Sequence, residues 1–143
     1  MRVMVIVKAD ADTEAGRMPT TEELDAMGAF NTELVNAGIM LAGEGLHPSS
    51  KGVRLTYEGG GKASATDGPF AETKELVAGF WILEVKSVDE AVEWMRRAPF
   101  PAGDAVEIRP VFEAEDFGEE FTPEARAAEE ELRARIEEQH GNR

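Results

Sequence analysis

The chain has 143 residues, with 29 acidic side chains against 15 basic ones and a formal charge of -14, which disfavours nucleic acid phosphates and anionic membrane surfaces as partners. Cysteine does not occur, so a disulfide framework, a thiolate metal site and a cysteine nucleophile are excluded. The length suits one domain with a single apolar core, residues 1–112, followed by a tail, 113–143.

The first ten residues, "MRVMVIVKAD", reach Lys8 and Asp10 after a short apolar stretch, unlike a secretory leader, and no run approaches membrane-spanning length. The expected location is therefore the cytoplasm. Residues 2–8 read as a strand with Val3, Val5 and Val7 on one face and Met4 and Ile6 on the other. A polar loop over 9–19 leads to Thr20, which with Glu23 forms a capping-box pattern. Leu24, Met27, Phe30, Leu34 and Val35 then share a helical stripe, and Gly38 supplies a left-handed stop.

"IMLAGEGL", 39–46, is a second strand whose glycines suggest a bulge or a close backbone approach. "VRLTYE", 53–58, and "KASATD", 62–67, are joined by "GGG" as a hairpin. "VAGFWILEV", 77–85, is apolar on both faces and reads as a central strand. Ser87 and Glu90 form a second capping-box pattern, and the helix they open ends before Pro99. "AVEIRPVF", 105–112, is the last strand, with Pro110 arguing for an edge.

This order is the split βαβ, ferredoxin-like α+β pattern with an inserted hairpin. Two helices cover one face of such a sheet, yet two strands are apolar on both faces, so a homodimer packed sheet to sheet is expected. The tail holds eleven acidic and four basic residues. Its helix starts at Thr122-Pro123 and carries a thin stripe of Ala125, Ala128, Leu132 and Ile136.

His47, where the second strand leaves the sheet, is the one histidine outside the tail. An imidazole exchanges protons near neutral pH, and a neighbouring carboxylate fixes its tautomer. Asp67 and Glu44 are the candidates for that carboxylate. Phe70 and Trp81 would supply apolar wall, with Glu72 and Lys74 as polar groups of the same pocket. "GGGK" at 59–62 lacks phosphate-loop spacing, no metal-ligand spacing occurs, and Ser49 and Ser50 lack a nucleophile elbow. No cofactor or metal is expected.

"LAGEGLHPS", "TDGPFAETKELVAGFWILEVKSVDEAVEWMRRAP" and "VEIRPV", in this order, resemble the YCII-related, DGPF-domain family, named for the tetrapeptide Asp67–Phe70. The resemblance covers about residues 1–112 and implies a dimeric ferredoxin-like fold of the dimeric α+β barrel type. It also implies a histidine and an aspartate facing a small cleft, with Asp67 matching directly and His47 by position. The family's link with extracytoplasmic-function sigma factors implies a regulatory setting.

Two functions are expected from these observations. One is a small-molecule enzyme of lyase or isomerase type, with His47 as acid–base group and Asp67 orienting it. The other is a non-catalytic dimer that binds a ligand or a regulatory protein.

Overall fold

A computed structural model describes residues 1–70 and 75–141 of the chain. It divides into two units, Met1–Val111 and Phe112–Arg143. In the first, β1 (Arg2–Lys8) is followed by a one-turn α1 (Ala11–Glu14), α2 (Thr21–Asn36) and β2 (Met40–Gly45). After these come the hairpin β3 (Val53–Gly59) and β4 (Lys62–Asp67), then β5 (Val77–Glu84), α3 (Val88–Met95) and β6 (Val106–Pro110).

The main sheet runs β2-β5-β1-β6 with every neighbouring pair antiparallel, which is the ferredoxin-like order. β5 is internal and β6, with Pro110, lies at an edge as the sequence suggests. The hairpin forms a separate two-stranded sheet, exposed along both strands, and Gly59, Gly60 and Gly61 all turn it with positive φ.

The core lies between the sheet and its two long helices. Val3 and Val5 of β1, Trp81 and Leu83 of β5, and Phe30 and Leu34 of α2 are buried together with Ala91 and Met95 of α3. Met4, Ile6, Phe80 and Ile82 alternate with these and take the opposite face, where they are only partly buried.

Local chemistry explains the element ends. Thr20 caps α2 by accepting from the Glu23 N–H, but the Glu23 carboxylate pairs with Arg17 rather than closing a capping box. Ser87 accepts from the Glu90 N–H in the same one-sided way, while the Glu90 carboxylate takes the Lys86 N–H. At the far end of α2, Gly38 has φ +72°, its N–H reaches Val35 and that of Ile39 reaches Leu34. That is a complete Schellman stop.

The stripe expected on α2 is narrower than the sequence suggests. Phe30 and Leu34 are buried and Met27 partly so, whereas Leu24 and Val35 are exposed. The supposed loop 9–19 contains α1, closed by a capping box between Asp10 and Thr13. Its short length hides it from a periodicity argument.

The second unit carries a short helical stretch, Ala114–Glu120, and α4 (Pro123–His140), capped by Thr122. Phe117 stacks on Phe112 and meets the Phe121 ring at a tilt, and Leu132 and Ile136 of α4 are exposed. Among the described residues, no helix is long and apolar enough to cross a membrane.

Candidate functional site

The pocket of the first unit opens on the helix side of the sheet, where β2 ends and β5 begins. Three positions that would carry side chains into this space are glycines: Gly43 and Gly45 on β2, and Gly79 on β5. They leave an open cavity of about 260 Å³ with a floor of bare backbone. Val7, Met27, Trp81 and Phe100 form its apolar walls, and Asn31 of α2 supplies a polar side chain.

The three glycines have different reasons. A Cβ on Gly43 would lie 2.7 Å from the Met40 methyl and 2.9 Å from the Trp81 ring. One on Gly79 would lie 2.8 Å from the Glu44 carbonyl oxygen. Both positions are closed to a side chain by close approach. A Cβ on Gly45 would meet nothing within 4 Å. The glycines in "LAGEGL" thus mark a close approach at Gly43, while the bulge of β2 falls earlier, between Met40 and Ala42.

Trp81 is buried at 5% exposure and its indole N–H donates to Asn31 Oδ1 at 2.9 Å. Its ring meets Phe30 and Phe100 edge to face, with centroids 6.1 and 6.0 Å away. Core packing and pocket wall are therefore combined in one residue. Glu44 contributes to the pocket between Gly43 and Gly45, but strand alternation, with Phe80 opposite, puts its exposed side chain on the other face of the sheet.

A second constellation surrounds the Asp67-Gly68-Pro69-Phe70 turn. Ser49, in the short helical turn Ser49–Lys51, donates its N–H to Glu14 Oε1 at 3.0 Å and its hydroxyl to Glu14 Oε2 at 2.5 Å. The same hydroxyl accepts the Phe70 N–H at 3.1 Å, and the Gly68 N–H donates to the Gly52 carbonyl at 2.9 Å. A Cβ on Gly68 would fall 1.7 Å from the Ser49 carbonyl oxygen, so the turn lies directly on this loop. The Arg54 guanidinium covers the Phe70 ring, 4.1 Å from its centroid.

His47 lies on the segment between the pocket floor and Ser49, and is exposed. Asp67 closes β4 opposite Val53 and is also exposed. Among the described residues, no hydrogen bond or ion pair links His47 to Asp67 or to Glu44. Glu72 and Lys74 lie outside the described residues. Glu75, just after them, pairs with Lys8 at 3.3 Å, and Lys8 also reaches Glu107 at 3.2 Å. Hydrogen bonding to Glu107 first, and to Glu75, raises the Lys8 ammonium above its ordinary value.

Of the expected residues, the pocket brings together Glu44 and Trp81, while Phe70 belongs to the clamp around Ser49. Sequence reasoning missed Asn31, Phe100, Ser49 as a structural link, and Glu14. Asn31 lies 50 residues from its Trp81 partner and Glu14 lies 35 from Ser49, so local pattern gives no signal for either pair. The buried indole was the available clue, because its N–H needs an acceptor.

The model of the YCII-related domain matches residues 1–115. The chain belongs to the YCII-related family. A relative from Rhizobium meliloti (strain 1021), an uncharacterised protein, is 32% identical over 87 residues, covering 59% of this chain and 69% of its own length. Among solved structures, a similar chain is the 5-chloro-2-hydroxyhydroquinone dehydrochlorinase of Burkholderia phenoliruptrix AC1100 in complex with 2,5-dihydroxybenzoquinone. It has a TM-score of 0.40 and 18% identity, over 80% of this chain and 98% of that one. Both the pocket and the Ser49 clamp fall inside the region that the YCII-related model matches.

Proposed function

We propose that this YCII-related domain is a small-molecule enzyme whose substrate enters the glycine-floored pocket, with His47 as proton carrier and Asp67 as its orienting carboxylate. The pocket carries this reading: an open, mostly apolar cavity with a polar side chain, here Asn31, on its wall is the usual form of a small-ligand site. Gly45 is part of its floor, and His47 follows two residues later, a span of at most about 7 Å of extended chain.

The chemistry suited to this pair is removal of a proton beside an electron-withdrawing group, as a lyase or isomerase requires. His47 takes the proton from carbon and returns it to the product, and Asp67 supports the imidazolium formed between the two steps. Hydrogen bonds of this kind often tighten only in the substrate complex.

The test is proton exchange in deuterated water, followed by NMR on a panel of small ketones with exchangeable α-protons. Exchange is expected with the native chain and should fall by about 10²–10⁴-fold in His47→Gln, with a measurable loss in Asp67→Asn. Native-rate exchange in both variants, or none with the native chain, contradicts the catalytic reading and leaves ligand binding without catalysis.

The same proposal includes a homodimer. Met4, Ile6, Phe80 and Ile82 form an apolar band on the sheet face away from α2 and α3, and a second copy laid sheet to sheet would cover it. Ile82→Lys should convert the species seen by analytical ultracentrifugation to monomer. A native chain that sediments as a monomer contradicts the dimer.

A further inference from the structure

The polar side chain that α2 gives the pocket, Asn31, narrows what kind of molecule it takes. An indole N–H donates and never accepts, so the Asn31 atom 2.9 Å from Trp81 Nε1 must be the amide oxygen. The Asn31 NH2 is thereby fixed as the end left over, and among the described residues it has no protein partner. It belongs to a residue that lines the cavity. Among the described residues, no lysine, arginine or histidine lines the cavity with it.

Gly45 adds the second half. Packing requires glycine at Gly43 and Gly79, but a side chain at Gly45 would point into open space. Gly45 closes β2, and glycine in a strand is disfavoured relative to a residue with a side chain. Position 45 therefore carries a residue that stability alone disfavours, and the result is empty volume. A cavity of about 150 Å³ is enough for benzene. The roughly 260 Å³ here takes one ring with substituents.

We infer that the pocket binds a neutral, single-ring organic molecule carrying a hydrogen-bond acceptor, with the acceptor on the Asn31 NH2 and the ring over Gly45 between Trp81 and Phe100. Carboxylates and phosphates are disfavoured, because among the described residues a single neutral side chain donates into the cavity in return for the hydration they lose. Gly45 sets the size limit. This inference rests on the pocket reading above but not on catalysis by His47.

Binding is measured by saturation-transfer NMR with three probes of similar shape: acetophenone, ethylbenzene and benzoate. Acetophenone should bind saturably and at least about tenfold more tightly than the other two, the order of one hydrogen bond. Asn31→Asp keeps an oxygen for the Trp81 N–H and removes the donor, so acetophenone should lose that tenfold advantage while the thermal midpoint at neutral pH stays near the native one. Gly45→Leu fills the cavity and should abolish binding of every probe while remaining folded.

Equal binding of acetophenone and ethylbenzene, unaffected by Asn31→Asp, overturns the acceptor requirement. Preferred binding of benzoate overturns the charge rule. Failure of acetophenone to bind, or undiminished binding in folded Gly45→Leu, overturns the inference altogether. Exchange of ketone α-protons that depends on His47 would still support the catalytic reading in any of these cases.

Discussion

The indole N–H of Trp81 and the amide oxygen of Asn31 meet at 2.9 Å, joining the central strand to α2 at the wall of the pocket. Asn31→Ala leaves the indole N–H without this acceptor in a residue only 5% exposed. A loss of about 1–3 kcal/mol is expected in urea unfolding. Asn31→Asp, which retains an acceptor, should cost clearly less at neutral pH. Equal losses in the two variants would mean that packing, not the hydrogen bond, matters at this position.

The three pocket glycines should separate under substitution by valine. Gly43→Val and Gly79→Val force side chains against the Trp81 ring and the Glu44 carbonyl, so each should destabilise by roughly 1–3 kcal/mol. Gly45→Val enters open space and should be neutral or raise stability by about 0.5–1 kcal/mol. Chemical denaturation of the three variants side by side gives the comparison.

The Asp67-Gly68-Pro69-Phe70 turn is held mechanically on the Ser49 loop. Gly68→Ala places a methyl group against the Ser49 carbonyl, and Ser49→Ala removes the hydroxyl shared by Glu14 and the Phe70 N–H. Ser49→Ala should cost about 1–2 kcal/mol. Because both groups act through Ser49, Ser49→Ala combined with Glu14→Gln should cost less than the sum of the single losses. Additive losses would show that the clamp is not one unit.

Much of the fold was legible because it rests on short-range signals. Alternation in "RVMVIVK" and "VAGFWILE" marked the paired strands, Thr20, Ser87 and Thr122 marked helix starts, and Gly38 marked a stop. Length concealed α1, and the exposure of Leu24 and Val35 reflects a contact face on α2 only about two turns long. The site was less legible. Its walls come from α2, β1, β2, β5 and the chain at Phe100, and that convergence belongs to tertiary structure. Titratable side chains attracted the sequence reading, whereas missing side chains shape this cavity.

Two carboxylates in the β1 end region should give opposite pH effects. The Thr13 N–H, donating at 2.8 Å, holds Asp10 below its ordinary 3.8. Its contribution is present above that value and is lost as pH falls through the lower folded value. Asp10→Ala should therefore cost about 0.5–2 kcal/mol at neutral pH and progressively less in strong acid.

Asp104 is held above 3.8 by desolvation first and then by the charge of Asp10. Its ionisation opposes folding, so stability declines as pH rises from 3.8 through the raised folded value. Asp104→Asn should raise the thermal midpoint at neutral pH and make no difference well below 3.8. Thermal melts at a series of pH values measure both variants.

Catalysis as proposed requires ligand to enter at the glycine floor beside His47. Backbone amide shifts of the native, isotope-labelled chain, followed during titration with acetophenone, test it most directly. Saturable changes are expected, concentrated at Gly43, Gly45, Gly79 and Asn31 and extending to His47. Changes confined to the hairpin 53–67 or to α4, with the glycine floor silent, would contradict it.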